Sequence, residues 1–547
     1  MLLNLIKSCG KERNVWKMKK IHEAVVSKNL IRKDIYIATA MIKTYVECGM
    51  LEKAQQVFEE LPVKDVVSWN ALITGYARHG RIDEALKCLK NMQISAIRPD
   101  VGTYIPILKS CGASRSLEIG KYIDVEVRKQ GLLQKDVMVG NALMSMYSKC
   151  GDLVKANEVF KQLPNSNVVS WNALITGYTQ HGLGNEALQW FRKMQNECVC
   201  PDVVTYICVL KACGIVGSLE VGKDIHVEVR KQGLLQKSVV LGTALVDMYS
   251  KCGAFEKARE VFEQLPMSNI VTWNVLITGY TQHGLADEAI KCFTKMKDEG
   301  VCPNAVTYIS ILKACALVGS LQIGERIHAE VRKKGLLQKE VVLGTALVDM
   351  YAKCGVLGEA HKAFDMLPVQ NVASWTALMT AYAQSGKAGR VLELFTQLIS
   401  RGITPDLVTI LVVLSACNHA GLVDEGQIIF DAIEQWYCLD PSIEHYNCMV
   451  DLFSRAGHFD KALDLIEKVP TSNQLRLWLS LLGACCKWVN VELGRWAFIR
   501  SVSLDEDCDA AYVYMGNIYA AAGMQKEADE IEVCRVSISG KKEKYHP

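Results

Sequence analysis

The chain repeats itself with a period of 102 residues, and this period constrains its fold more than any other feature. Four tryptophans lie at this interval: Trp69, Trp171, Trp273 and Trp375. Nine of the twelve prolines form two series with the same interval: Pro62, Pro164, Pro266, Pro368 and Pro470, then Pro99, Pro201, Pro303 and Pro405. Because proline ends a helix, these series mark the limits of repeated helical units. The period predicts a repeat array rather than one compact core.

Each 102-residue unit contains three related segments of 35, 36 and 31 residues. In the first, 66–100, apolar residues at helical spacing predict two amphipathic helices: Trp69, Leu72, Ile73 and Tyr76, then Ala85, Leu86, Leu89 and Met92. Gly80 separates these helices and Pro99 closes the segment. A single helix pair cannot bury its own apolar face, so neighbouring pairs must stack. The sequence therefore predicts an all-α solenoid of stacked helix-turn-helix repeats of tetratricopeptide size.

Composition and motif content limit the functions that this chain can have. The net charge is only +3, so any affinity for nucleic acid must come from local contacts rather than from a general positive field. The 21 cysteines include no C-x-x-C pair, which predicts free thiols in a reducing compartment and no metal site. No apolar run is long enough to span a membrane, and no signal or transit leader is visible. No catalytic constellation or cofactor motif occurs, so no enzyme is predicted.

The periodic tryptophans and cysteines have a structural interpretation. Two cysteine series keep the 102-residue register: Cys9, Cys111, Cys213, Cys315 and Cys417, then Cys48, Cys150, Cys252 and Cys354. Small side chains at helix-packing positions account for both series, which we predict to be buried. The tryptophans are likewise predicted to form the core of the first helices rather than a cage for stacked bases.

Long phrases recur in register: VVSWNALITGYxxxG, NALxxMYSKCG and ILKxCGxxxSLExGKxIH. Through these phrases nearly the whole chain closely resembles plant pentatricopeptide repeat proteins of the PLS subfamily. The segments of 35, 36 and 31 residues look like the P, L and S repeat types of that family. The resemblance implies a right-handed superhelical solenoid that binds single-stranded RNA.

The resemblance also divides the chain. A repeat array occupies 1–474, E1/E2-like motifs related to tetratricopeptide repeats occupy 475–542, and a tail follows at 543–547. The array is divided into an L type that lacks its first two residues (1–34), an S type (35–65), three P–L–S triplets (66–167, 168–269 and 270–371) and a final P, L and S (372–406, 407–442 and 443–474). Some relatives continue into a DYW-type cytidine deaminase domain with H-x-E and P-C-x-x-C motifs. Here H-x-E occurs only as His226–Glu228 and His328–Glu330, in equivalent L-type positions without the cysteine pair, so these are interpreted as surface or packing residues.

In the family, each repeat reads one base with the fifth residue of its first helix and its own last residue. A last-position Asp accepts a hydrogen bond from the imino N–H of U or G, whereas Asn donates to the ring nitrogen of C or A. Thr at the fifth position leaves room for a purine, and Asn favours a pyrimidine. The implied pairs are Thr39–Asp65 for G, Asn70–Asp100 for U, Asn141–Asn167 for C or either pyrimidine, Asn172–Asp202 for U, Thr243–Asn269 for A, Asn274–Asn304 for C, Thr345–Asn371 for A and Thr376–Asp406 for G, with Asn447 for a pyrimidine.

The L-type repeats carry an aliphatic fifth residue, which cannot hydrogen-bond a base edge: Ile105, Ile207, Ile309 and Leu411. Running 5′ to 3′ from the N-terminus, the expected RNA is n-G-U-n-C-U-n-A-C-n-A-G-n-Y. Asn, Thr and Asp are also typical helix caps. Capping explains these residue types, but it does not explain why both positions keep to this alphabet in every P- and S-type repeat while their surroundings barely change.

Three functions remain open from the sequence. The first is a site-recognition factor for RNA modification in a mitochondrion or chloroplast, namely C-to-U editing with a DYW-type deaminase supplied in trans through the E-like motifs. The second is RNA binding for transcript stabilisation, processing or splicing without editing. The third, from a different class, is a protein-binding helical-repeat scaffold.

Overall fold

The computed structural model describes residues 2–12, 15–28, 30–265 and 269–545 of the chain. These residues form α-helices joined by short turns, and no β-strand occurs in those four ranges. The predicted all-α class of stacked helix-turn-helix repeats is therefore confirmed. The chain forms two compact units, Met1–Gly279 and Tyr280–Pro547. Pro266 of the proline series lies outside the described residues.

Apart from two four-residue helices, the helices up to the unit boundary alternate between the first and second helices of successive repeats. In chain order they are α1 (Leu2–Glu12), α2 (Val15–Ser27), α3 (Leu30–Lys33), α4 (Ile35–Glu47), α5 (Leu51–Glu59), α6 (Val66–Arg78), α7 (Ile82–Ile94), α8 (Val101–Ser114), α9 (Leu117–Lys129), α10 (Leu132–Lys135), α11 (Val137–Cys150), α12 (Leu153–Gln162), α13 (Val168–Gln180), α14 (Gly184–Asn196), α15 (Val203–Val216), α16 (Leu219–Lys231), α17 (Val239–Lys251), α18 (Phe255–Gln264) and α19 (Ile270–Gln282), which the boundary crosses.

The second unit continues the same alternation. Its further helices are α20 (Ala286–Asp298), α21 (Ala305–Val318), α22 (Leu321–Lys333), α23 (Val341–Lys353), α24 (Leu357–Asp365), α25 (Val372–Gln384), α26 (Ala388–Ser400), α27 (Leu407–Ala420), α28 (Val423–Gln435), α29 (Ile443–Arg455), α30 (Phe459–Glu467), α31 (Leu475–Trp488), α32 (Val491–Leu504), α33 (Asp509–Ala521) and α34 (Gln525–Tyr545). Two short 3₁₀ turns lie at Leu336–Gln338 and Thr471–Asn473. The division at 474 between the array and the E-like motifs remains a prediction.

The repeat at 66–100 shows why this sequence forms a helix pair. Helix α6 begins directly after Asp65, whose carboxylate accepts a hydrogen bond of 2.8 Å from the backbone N–H of Ser68. Just beyond its end, Gly80 adopts a φ of +73°, a left-handed conformation that a side chain disfavours. Helix α7 then runs to Ile94 and stops ahead of Pro99. The two helices predicted for this segment are confirmed.

Within each unit, neighbouring repeats share a continuous apolar core. First helices pack directly on one another, as α6 does on α8 and α8 on α11, and each second helix packs on its own first helix. In 66–100 the predicted apolar residues are buried with one exception, because Leu86 is only half-buried. Burial of one face of each helix against the next repeat therefore holds the stack together.

The tryptophan series forms this core, as predicted. Trp171 and Trp375 are 0% exposed, Trp273 is 1% exposed and Trp69 is 5% exposed. Each tryptophan packs edge-on against a phenylalanine of the preceding repeat, with ring centroids 4.5 to 4.8 Å apart: Phe58, Phe160, Phe262 and Phe364. Edge-to-face geometry is favourable for aromatic pairs. The buried indoles join consecutive repeats and are not available to stack on a base.

The two cysteine series face each other. Cys111, Cys213 and Cys315 are fully buried, whereas the partner series beginning at Cys48 is only half-buried. The Cys150 thiol lies 3.9 Å from the carbonyl oxygen of Cys111, and the same contact recurs in the next two triplets. Burial raises the pKa of the Cys111 thiol to about 12, so it stays protonated and unreactive. Burial is thus confirmed for the first series and overstated for the second.

Candidate nucleic-acid interface

In eight of the predicted P- and S-type repeats, the last residue caps the first helix of the next repeat. Its side-chain oxygen accepts a hydrogen bond of 2.8 to 3.1 Å from the backbone N–H of the third helical residue. The residues that do so are Asp65, Asp100, Asn167, Asp202, Asn269, Asn304, Asn371 and Asp406. Capping therefore accounts for the residue types at this position, and it also fixes each side chain at the junction of two repeats. Gln474, at the end of the last S-type repeat, makes no side-chain cap.

The third helical residue is a serine or threonine that links the two predicted base-recognition positions. Thr103 donates to Asn70 at 2.6 Å, Thr205 donates to Asn172 at 2.7 Å, and Ser170 donates to Asn141 at 2.7 Å. The same hydroxyls interact with the capping residue of the pair. All eight such residues are 0% exposed: Ser68, Thr103, Ser170, Thr205, Thr272, Thr307, Ser374 and Thr409.

Threonines at the fifth position make the same connection in two repeats. The hydroxyls of Thr243 and Thr272 lie 2.9 Å apart, and those of Thr376 and Thr409 lie 2.7 Å apart. The linking residues were not singled out from the sequence. The signal that identifies them is the capping-box pattern, a Ser or Thr three residues after a capping Asp or Asn.

In two other predicted pairs the fifth residue makes different contacts. Thr39 is buried, and it lines one open pocket of about 500 Å³ together with Asp65. The Thr345 hydroxyl donates to the Val341 carbonyl of its own helix. Ser374 donates to the backbone oxygen of Asn371.

The remaining predicted residues lie in the second half of the array. Asn274 and Asn304 are the two members of one predicted pair. They belong to different units of the chain. Asn274 is 9% exposed, whereas Asn304 caps its helix and is exposed. Asn447 accepts a hydrogen bond of 2.9 Å from Ser480 on α31.

The two pairs assigned to uracil are in direct contact. The amide nitrogen of Asn70 donates to Asp100 at 2.8 Å, and that of Asn172 donates to Asp202 at 2.9 Å. Burial raises the pKa of Asp202, but hydrogen bonds from Thr205 and Asn172 outweigh it and hold the pKa below its usual range. At neutral pH the carboxylate is ionised and acts only as an acceptor.

Exposed apolar side chains accompany these polar pairs. The second residue of nine first helices is 51 to 65% exposed: Val67, Met138, Val169, Val204, Val240, Val271, Val306, Val342 and Val408. Met138 and Val169 line one open pocket of about 380 Å³ with Asn141, Asn172 and the aliphatic Ile105. These residues were not predicted from the sequence. An apolar residue that lies outside the buried stripe of its helix could have indicated them. The pocket offers both an apolar surface and hydrogen-bonding groups to a flat ligand.

The histidines of the two H-x-E sequences contact tyrosine hydroxyls of the neighbouring repeats. The His226 Nδ1 lies 2.9 Å from the Tyr249 hydroxyl, and His328 makes the same contact with Tyr351. Burial raises the pKa of Glu330, but hydrogen bonds from Tyr308 and two lysines outweigh it and lower the pKa to about 2. The described ranges contain no group of three or more His, Cys, Asp or Glu side chains suited to a metal ion.

An array of stacked helix pairs defines a helical-repeat protein. The PPR repeat family matches residues 64–112, 166–214, 268–316 and 370–419, and the PPR repeat matches 36–66, 141–168, 243–270 and 444–473. The pentatricopeptide repeat domain matches 303–337. The chain belongs to the pentatricopeptide repeat family.

Curated relatives match the chain over nearly its whole length. A pentatricopeptide repeat-containing protein of Arabidopsis thaliana that is named mitochondrial is 35% identical, covering 96% of this chain and 76% of the relative. One named chloroplastic is also 35% identical, covering 97% and 65%. A third Arabidopsis relative is 34% identical and covers 99% of this chain and 96% of its own.

A solved structure shares the fold. The crystal structure of the maize pentatricopeptide repeat protein PPR10 aligns with a TM-score of 0.57 and 18% identity, covering 99% of this chain and 90% of that chain. That likeness shows a shared fold. PPR10 in complex with an 18-nucleotide psaJ RNA element aligns with a TM-score of 0.49 and 18% identity, covering 98% and 92%. Among the described helices, none has the length and apolar character needed to cross a membrane.

We expect the stability of the fold to depend on histidine protonation. Burial lowers the pKa of His226 and His328, so the folded chain holds fewer protons there than the unfolded chain. Between the lowered pKa and the unfolded value of about 6.5, the free energy of unfolding therefore rises with pH. It should fall as the pH drops from about 7 towards 5, which urea unfolding followed by circular dichroism will measure.

The control for this experiment is a double variant, His226→Gln with His328→Gln. Glutamine can still accept from the tyrosine hydroxyl but does not titrate. The equivalent position of the first triplet is already non-imidazole, since Asp124 accepts from Tyr147 at 2.8 Å there. A double variant with the same pH dependence as the natural chain would contradict the assignment.

The Thr205→Val variant tests the linking hydroxyl. Valine keeps the shape but leaves the Asp202 backbone N–H and the Asn172 oxygen without the Thr205 hydroxyl. We expect a loss of about 1–3 kcal/mol in the free energy of unfolding, the usual cost of buried unsatisfied groups. The matched control is Thr294→Val, because Thr294 is exposed and its hydroxyl donates to the Ile290 carbonyl of its own helix. Equal stabilities of the two variants would contradict the structural role of the hydroxyl.

Proposed function

We propose that this chain binds single-stranded RNA and reads one base with each P- or S-type repeat. The observation that carries the proposal is the convergence of Asn172 and Asp202 on Thr205, in a frame that recurs through the array. Two residues 30 positions apart become one hydrogen-bonding unit at a repeat junction. Helical repeats of this size suit RNA because its splayed bases present their Watson–Crick edges one at a time.

Helix capping alone is a weaker account of the same residues. A cap needs only the last residue of a repeat, whereas the fifth residue lies within the helix and makes no cap. Asp100 already caps its helix by accepting a hydrogen bond from the backbone N–H of Thr103. The direct contact between Asn70 and Asp100 is therefore not needed for capping. Recognition of a base uses both members of the pair, which supports reading over capping.

We further propose that the bound RNA is an organellar transcript and that the chain marks a cytidine for C-to-U editing. Support for the organelle comes from the names of three relatives, of which two are named mitochondrial and one chloroplastic. Support for editing comes from the E-like phrases at 475–494 and 511–532, which would recruit a DYW-type deaminase supplied in trans. Transcript stabilisation or processing without editing, and a protein-binding scaffold, are the competing outcomes.

Selection from a randomised single-stranded RNA pool tests the proposal. The purified chain is incubated with the pool at moderate salt, which suppresses weak electrostatic binding, and the retained RNA is sequenced. We expect enrichment of n-G-U-n-C-U-n-A-C-n-A-G-n-Y, with no preference at the bases opposite the L-type repeats. If no RNA is enriched, the chain does not read RNA alone and the scaffold becomes the leading function.

A second experiment separates editing from other RNA functions. A transcript that carries the selected sequence upstream of a cytidine is incubated with the chain and a DYW-type deaminase. Conversion of that cytidine only when the chain is present supports editing. Specific binding without conversion favours stabilisation or processing.

A further inference from the structure

We propose that the L-type repeats hold the RNA backbone, with Lys109, Lys211 and Lys313 each binding a phosphate group. The proposal rests on the RNA-binding function above and assigns a role to repeats that read no base. Each lysine lies four residues after the aliphatic fifth residue of its repeat, which places the two side chains on one face of the first helix. All three lysines are exposed.

The position of Lys109 connects this face with the polar pairs. Lys109 and Ile105 line the same open pocket as Asn141 and Asn172, the fifth residues of the next two repeats. An ammonium group in that pocket lies beside the groups that contact the base edges. A nucleotide whose base meets only Ile105 can still be held by its phosphate, because a lysine binds phosphate as a point charge.

The surroundings of these three lysines leave their ammonium groups available to a ligand. Among the described residues, no carboxylate oxygen lies within 4.0 Å of the ammonium nitrogen of any of the three. Two lysines on the first helices of predicted S-type repeats differ, since Lys251 pairs with Asp247 at 2.8 Å and Lys353 pairs with Asp349 at 2.9 Å. A phosphate can therefore bind the L-type lysines without displacing a carboxylate.

The overall charge makes local cations of this kind necessary. A chain with a net charge of +3 has no strong general field for a polyanion, so contacts with the backbone depend on individually placed ammonium groups. The chain also contains its own contrast. In the L-type repeat at 407–442, Leu411 is followed at the equivalent position by Ser415 rather than lysine.

The test is the salt dependence of RNA binding, measured with the RNA that selection recovers. In the triple variant Lys109→Gln, Lys211→Gln, Lys313→Gln, the slope of log K against log salt should fall by about 2, since each contact with single-stranded RNA contributes about 0.7. Base preferences should not change. In the opposite direction, Ser415→Lys should raise the slope by about 0.7.

A second triple variant controls for net charge. Lys90→Gln, Lys161→Gln and Lys333→Gln remove the same charge from exposed positions on second helices, and the slope should hardly change. If both triple variants change the slope equally, the L-type lysines are not phosphate contacts. If the natural chain binds no RNA at all, the RNA-binding function itself fails, and this inference fails with it. Circular dichroism melting of every variant verifies that the fold is retained.

Discussion

The Trp171→Ala variant should lose about 3–5 kcal/mol of unfolding free energy, the cost typical of removing a buried aromatic side chain. Trp171 is 0% exposed and packs edge-on against Phe160 at 4.8 Å between ring centroids. Trp190 lies 5.8 Å away and completes an aromatic cluster that joins two repeats. The indole N–H has no hydrogen-bond partner among the described residues, so the loss comes from packing and the cavity left behind.

The matched control is Trp436→Ala, since Trp436 is 75% exposed. Surface substitutions of this kind usually change stability by less than about 0.5 kcal/mol. Urea unfolding followed by far-ultraviolet circular dichroism measures both variants. Because each repeat is stabilised by its neighbours, the Trp171 variant should unfold first around its own repeat. If Trp171→Ala were as stable as the control but bound RNA poorly, the tryptophan would belong to the binding site rather than the core.

The second large effect is a change of base preference on substituting Asp202→Asn. In the natural chain an ionised Asp202 can accept the imino N–H of uracil, while Asn172 holds it in place. An asparagine at 202 can donate to the ring nitrogen of cytosine instead. We expect the preferred base at this repeat to change from U to C, with about 1–3 kcal/mol of discrimination by analogy with other specific base contacts.

The chain provides a comparison for this variant and a companion substitution. Asn274 and Asn304 already form the Asn–Asn combination in a nearly identical segment, so that repeat should prefer C in the natural chain. The companion variant Asn274→Thr should change its preference from C to A. Binding to RNAs that differ only at the tested base gives both results. If the variants bind all four RNAs more weakly by the same factor, with no change of base preference, these residues are structural caps and the predicted base recognition is wrong.

The periodic pattern was enough to predict the core. The 102-residue interval and the i, i+3, i+4, i+7 spacing identified both helices of 66–100 and the buried tryptophans. This was possible because a helix that buries one face carries apolar residues at that spacing in the sequence. The same reasoning was less accurate at Leu86 and at the Cys48 series, which are half-buried. A pattern locates the apolar face, but the packing of the next repeat decides how completely it is covered.

The sequence by itself determined the all-α class, the register of the repeats and the positions that vary between otherwise constant frames. Only the tertiary structure decided what those positions contact. The Cys150 thiol meets the Cys111 carbonyl across two helices, and Thr205 joins Asn172 to Asp202 from the following repeat. Helical periodicity is a local property of consecutive residues. Thr205 and Asn172, however, lie 33 residues apart, and Cys150 and Cys111 lie 39 apart, so they are brought together only by the way one helix pair packs on the next.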